Sequence, residues 1–277
     1  MDDFRNRVCI ITDGFSAVGF KTAELLARQG ARLVLLKSQT DESSQMVFTD
    51  DTMLSNITYR IEHVDLCVSA ALEKMIERIE NDPAIGPPTD LFFNTVPPFV
   101  RQRILDMPKE CLEALINRDL TSLFLTVKII GSAIVRNRKG GSMVMLGSIH
   151  DDKPTGIAAL QSMYMGALKN LSREAALYFG YGKVRTNLIE VGAMGGEDER
   201  YRNDLSSFYE GYSYKVPSGY IGNEEDIAAL AVFLMSERAR YINGAEIRMD
   251  GGLVLHYLDE IANFKAEERR QRLGTHI

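Results

Sequence analysis

"RVCIITDGFSAVGFKTAELLARQGARLVLLK" (7–37) sets two short apolar runs, 7–12 and 31–37, on either side of a stretch whose apolar residues recur at helical spacing. An apolar run of four to eight residues reads as a strand buried on both faces, and strand, helix, strand with a tight turn between them is the unit of a parallel sheet. The same rhythm continues down the chain. Strands are predicted at 59–66, 89–95, 141–148, 183–191 and 244–252, with a helix at 69–82 between the first two of these. The fold class expected is α/β, a doubly wound parallel sheet covered by helices on both faces.

The 277 residues are 45% hydrophobic and 25% charged, an ordinary composition for one domain with a buried core. We read 1–252 as a single domain and 253–277 as a helical tail packed on it or on an oligomer interface, because Leu255, Leu258, Ile261 and Phe264 recur at helical spacing. The stretch 193–220, rich in Gly, Tyr, Ser and charge, reads as an excursion over the carboxyl ends of the strands. A net charge of −6 argues against nucleic-acid or anionic-membrane partners, which need a surplus of Lys and Arg. No apolar run approaches the ~20 residues of a membrane span, and the acidic opening "MDDFRNRVCII" predicts no leader. Cys9, Cys67 and Cys111 are odd in number and widely spaced, which predicts free thiols and a cytoplasmic protein.

Three stretches carry a family resemblance. The opening "ITDGFSAVGFKTAELLARQGARLVLL", the strand "LFFNTV" with Asn94, and the closing "GNEEDIAALAVFLMSERARYINGAEIRMDGG" together resemble the short-chain dehydrogenase/reductase family over nearly the whole chain up to Gly252. That resemblance implies a Rossmann-type sheet, an NAD(P) cofactor and a dimer or tetramer built on long helices, here about 109–138 and 156–180.

The family's nucleotide turn is Thr-Gly-x-x-x-Gly-x-Gly, whose glycines let backbone amides approach a pyrophosphate at a helix N-terminus. Here it reads Thr12, Asp13, Gly14, Phe15, Ser16, Ala17, Val18, Gly19. Asp13 and Ala17 replace two of the glycines. A carboxylate ~5 Å from a phosphate charge costs about 3 kcal/mol at an effective dielectric near 20, roughly two decades of affinity. The alternative is that Gly14 takes the special backbone conformation and Asp13 turns outward as a helix cap. Lys37 stands where the resemblance places an acidic residue in NAD-preferring members; it suits a 2′-phosphate, hence NADP(H), or is solvated surface. Asp65 matches an adenine contact or caps the following helix, and Asn94 matches the family's central-strand asparagine.

Register fixes the catalytic positions. In the family Tyr-x-x-x-Lys is followed eight residues after the lysine by an arginine, here Arg173, and then by an Arg-x-Asn strand, here Arg185 and Asn187. Counting back places Met165 at the lysine position and Gln161 at the tyrosine position. Ser148 keeps the substrate-oxygen serine, and Asp119 stands for the catalytic asparagine. Tyr164 and Lys169 are five apart, about 140° around a helix, and cannot present together; Tyr164 reads as a packing residue. Glutamine and methionine cannot shuttle a proton, and losing general acid–base work costs roughly 10²–10⁴ in rate. The four histidines share no ligand spacing, so no metal is expected, and "SIHDD" (148–152) reads as a solvated loop in preference to an acid–base pair.

The pattern implies a non-catalytic subunit of a heteromeric dehydrogenase, beside a catalytic paralogue that holds NAD(P), in acyl-CoA-type chemistry; this chain would bind no cofactor, or NADP(H) weakly. Two alternatives stay open: an active NADP(H) reductase using Ser148 and Asp119, and a non-redox enzyme or binding module on the same fold.

Overall fold

The computed structural model describes residues 3–37, 57–97, 101, 103–195 and 216–255. Seven parallel strands form one sheet in the order β3-β2-β1-β4-β5-β6-β7. They are β1 Val8–Ile11, β2 Arg32–Lys37, β3 Tyr59–His63, β4 Asp90–Phe93, β5 Gly141–Ser148, β6 Val184–Val191 and β7 Glu246–Met249. Each lies within the run expected from sequence; β5 coincides with it, and the others are one to five residues shorter. The helices are α1 Ala17–Ala27, α2 Ser69–Glu80, α3 Lys109–Ala114, α4 Thr121–Arg136, α5 Ala159–Gly180 and α6 Glu224–Met235.

Alternation along each strand splits the core in two, as a period of two requires. Val8, Ile10, Val34 and Leu36 pack with α2, α4 and α5 on one face. Cys9, Ile11, Leu33 and Leu35 pack with α1 and α6 on the other. This is the doubly wound arrangement, and its strand order reverses between β1 and β4, where such sheets open a ligand crevice.

Two polar locks fix the frame. Asp90, fully buried, accepts from Arg7 Nε at 2.8 Å, from Thr89 Oγ1 at 2.7 Å and from the Ser142 hydroxyl at 2.7 Å, so β1, β4 and β5 share one carboxylate. Arg185 on β6 donates to the carbonyls of Leu234 and Ile242 through Nη1 and of Met235 and Ser236 through Nη2, at 2.7 to 3.4 Å. The end of α6 is thereby fastened to the sheet.

Two expectations need correction, and a third falls mostly outside the described residues. The long helix expected over 109–138 is interrupted: Leu115–Leu120 is a π-helical segment between α3 and α4, with the Thr121 hydroxyl donating to the Ile116 carbonyl. The helix expected from 156 begins at Ala159. The tail reading from 253 meets a short 3₁₀ turn at Leu253–Leu255; residues 256–277 of that tail, and 196–215 of the excursion at 193–220, lie outside the described residues.

Candidate active site

The nucleotide turn follows β1 at the switch point. Asp13 itself adopts the left-handed backbone, φ +47°, that a glycine would take, and Gly14 does not. Gly14 packs tightly: a Cβ there would lie 2.8 Å from Leu35 Cβ. Ser16, not Asp13, caps α1. Its hydroxyl donates to the Asp13 carbonyl and accepts the Gly19 amide at 3.0 Å. Both halves of the Gly14/Asp13 alternative are thus replaced. Gly19 is irreplaceable sterically, because a Cβ would come within 2.2 Å of the Asp13 carbonyl oxygen.

Asn94, fully buried at the end of β4, ties this turn to the sheet. Its amide N–H donates to Thr12 Oγ1 at 2.8 Å and its side-chain Nδ2 donates to Ser16 Oγ at 3.3 Å. Lys37 ends β2 with its ammonium 5.7 Å from the centre of the Phe15 ring, a cation–π geometry inside the turn region. Asp65 accepts the Cys67 amide at 2.9 Å in an Asx turn leading into α2, whose N-cap is Val68.

A carboxylate stands at 13, a Cβ at Ala17, and the Gly19 amide is already satisfied by Ser16. The chemistry of these residues does not fit a pyrophosphate as a glycine turn would.

At the carboxyl end of β5, Ser148 is 7% exposed and Met165 2%. The Ser148 backbone N–H donates to the Met165 thioether sulfur at 3.2 Å, and that sulfur also covers Gly147. Gln161 lies buried one turn earlier on α5. Tyr164 is 1% exposed, and its hydroxyl donates to the Thr95 carbonyl at 3.1 Å, a packing role. Asp119 sits in the π-helical segment with the Arg118 guanidinium against its carboxylate, Nε to Oδ1 2.7 Å; Arg118's own pKa is raised by that partner.

One contact runs against the sequence reading. His150, expected in a solvated loop, is half-buried, and its Nδ1 lies 2.8 Å from Ser148 Oγ. Burial lowers its pKa, with Asp151 opposing, so the imidazole is neutral near pH 7. The signal was the spacing Ser-x-His at a strand end, too common to decide alone.

Lys169, dismissed as half of a false pair, has a definite place. Its ammonium is caged by Asp151 (2.7 Å), Asp152 (3.0 Å), Glu190 (3.1 Å) and Glu246 (3.4 Å). Burial opposes its charge, but the carboxylates outweigh burial and hold its pKa well above the usual lysine range. Three of these acids, Asp151, Asp152 and Glu190, have metal-like spacing, yet the ammonium already serves as their cation. The three cysteines are free, with Cys9 buried, and no helix among the described residues is long and apolar enough to cross a membrane.

Comparison with known proteins places this architecture. A family model described as enoyl-(acyl carrier protein) reductase matches residues 15–254. The chain is 27% identical over 262 residues to the uncharacterised oxidoreductase YohF of Escherichia coli, covering 90% of this chain and 96% of that protein. It is 27% identical over 258 residues to the L-rhamnose 1-dehydrogenase (NAD(P)(+)) of Azotobacter vinelandii, covering 91% and 98%. The crystal structure of a short-chain type dehydrogenase/reductase from Mycobacterium marinum superposes with a TM-score of 0.79 at 20% identity, covering 92% of this chain and 98% of that one. With the strand order, the switch-point turn and a family match spanning the sheet, the chain belongs to the short-chain dehydrogenase/reductase family of oxidoreductases.

Proposed function

We propose that this chain is the non-catalytic subunit of a heteromeric, cytoplasmic NAD(P)-dependent dehydrogenase, in which an active paralogue carries the cofactor and the chemistry. The observation that carries this reading is the Met165 sulfur seated on the Ser148 amide, buried where the family places a lysine. A thioether cannot lower the pKa of a neighbouring acid, and Gln161 cannot donate and recover a proton. Ile116, Phe124, Met163 and Leu177 stand exposed on the long-helix surfaces that the family resemblance assigns to oligomer contacts. The substrate class, a 3-hydroxyacyl thioester, is suggested by the acyl-carrier description of the matching family model. Native mass spectrometry of the protein from its own source tests the reading. A mixed oligomer, expected as a tetramer, whose second chain has an intact Tyr-x-x-x-Lys supports the proposal, and a homomer that turns over NADH or NADPH overturns it.

The Ser148–His150 contact favours a second reading, an active NADP(H) reductase in which Ser148, Asp119 and a neutral histidine replace the usual pair, with Lys37 toward a 2′-phosphate. It requires stoichiometric NADPH binding by the isolated chain; no binding at millimolar NADPH removes it.

A further inference from the structure

The loop between β5 and α5, residues 149–158, carries His150, Asp151 and Asp152; Ile149 anchors its start to the Val191 carbonyl, and Lys169 on α5 holds its two aspartates. Asp151 and Glu190 are the two acids buried most deeply in the cage, their side chains 6% and 4% exposed. Their ligand oxygens, with those of Asp152, all lie within 4.8 Å of one another. Lys169 Nζ reaches Asp151 Oδ2 at 2.7 Å and Glu190 Oε1 at 3.1 Å, and no other donor among the described residues meets these oxygens in good hydrogen-bond geometry. Around them stand Lys169 and Arg173 from α5, Asp152 and His150 from the loop, and Glu246 from β7, which Arg173 Nη2 also engages at 3.0 Å. Four carboxylates therefore face two cations, and two of the four are packed side by side out of water. Two such carboxylates cannot both ionise without strong repulsion, and a shared proton is the ordinary solution. Glu190 belongs to a strand paired on both sides, whereas Asp151 belongs to a loop, so the loop is the partner that yields. Gly156, at φ +79° with open space where a Cβ would stand, gives that loop a place to turn.

We propose that Asp151 and Glu190 share a proton that latches the 149–158 loop, and with it the Ser148–His150 contact, so that the loop is held in mildly acidic solution and loosened as the proton leaves. Burial first, and Asp151 after it, push the Glu190 carboxyl up to about 7 against the opposing pull of Lys169. With the loop open, Glu190 regains an ordinary carboxyl pKa near 4.5. The opening equilibrium then rises with pH between these two values and flattens above the higher one.

Hydrogen–deuterium exchange of the full chain, corrected for the pH dependence of intrinsic exchange, reads this directly. Protection of 149–158 is expected to fall at least about tenfold between about pH 5 and about pH 7.5, while the central strands do not change. Glu190→Gln keeps a neutral group beside Asp151 and flattens the dependence. Asp151→Asn does the same from the other side and serves if the first variant does not fold. His150→Gln retains the slope. A wild-type loop with no slope, or a slope that survives in the Glu190 and Asp151 variants and vanishes in His150→Gln, overturns the proposal. Neither result bears on whether a paralogue completes the oligomer.

Discussion

A left-handed backbone at Asp13 is tolerable because aspartate visits that region more readily than most residues, though glycine does so at no steric cost. Asp13→Gly therefore keeps the turn and removes its carboxylate. Dinucleotide affinity is expected to rise roughly 100-fold, measured by NADPH titration in fluorescence; an unchanged affinity shows that Asp13 does not face the phosphate site. Gly19→Ala is expected to act oppositely. Its Cβ meets a backbone carbonyl that cannot move aside, so about 1–3 kcal/mol of stability is lost in chemical denaturation. At position 165 the thioether is a packing group, and Met165→Ala should cost about 2–4 kcal/mol through the cavity it leaves. Which residues stand at 13, 161 and 165 could be read from sequence, because motif spacing fixes them. The contact between Ser148 and His150 could not, since the path of a loop depends on what anchors it, and the anchor is a lysine 18 residues beyond the loop's Asp151.

Among the elements, α6 shows how local sequence specifies a boundary. Asn223 accepts the Asp226 amide while Asp226 accepts the Asn223 amide, a reciprocal capping box with three acids in the first turn. Asn223→Ala is expected to cost about 1 kcal/mol, seen as a lower midpoint in urea with an unchanged slope. Strands and helices were legible because their apolar periods are strong. The π-helical segment at Leu115–Leu120 was not, because no local pattern distinguishes it from the α-helix around it. That segment is where Asp119 and Arg118 sit.

For the whole molecule, stability should respond to pH in an unusual direction. Glu190 has a folded pKa raised to about 7, so between about 4.5 and 7 the folded state binds more protons than the unfolded one. Stability from this group is therefore full below the lower value and falls by roughly 3 kcal/mol as pH rises through the window. Thermal unfolding of wild type and Glu190→Gln across that range checks it, the variant losing the slope. The seven-stranded frame itself does not depend on the site. Arg185 holds the end of α6 by four peptide carbonyls, and every amino acid presents the same carbonyl. Mutations at 234, 235, 236 or 242 thus leave the acceptors of Arg185 in place, whatever they do to packing. A lock read out through the main chain asks nothing of the identity of the residues it grips, so that its hydrogen bonds outlast changes in the side chains around it.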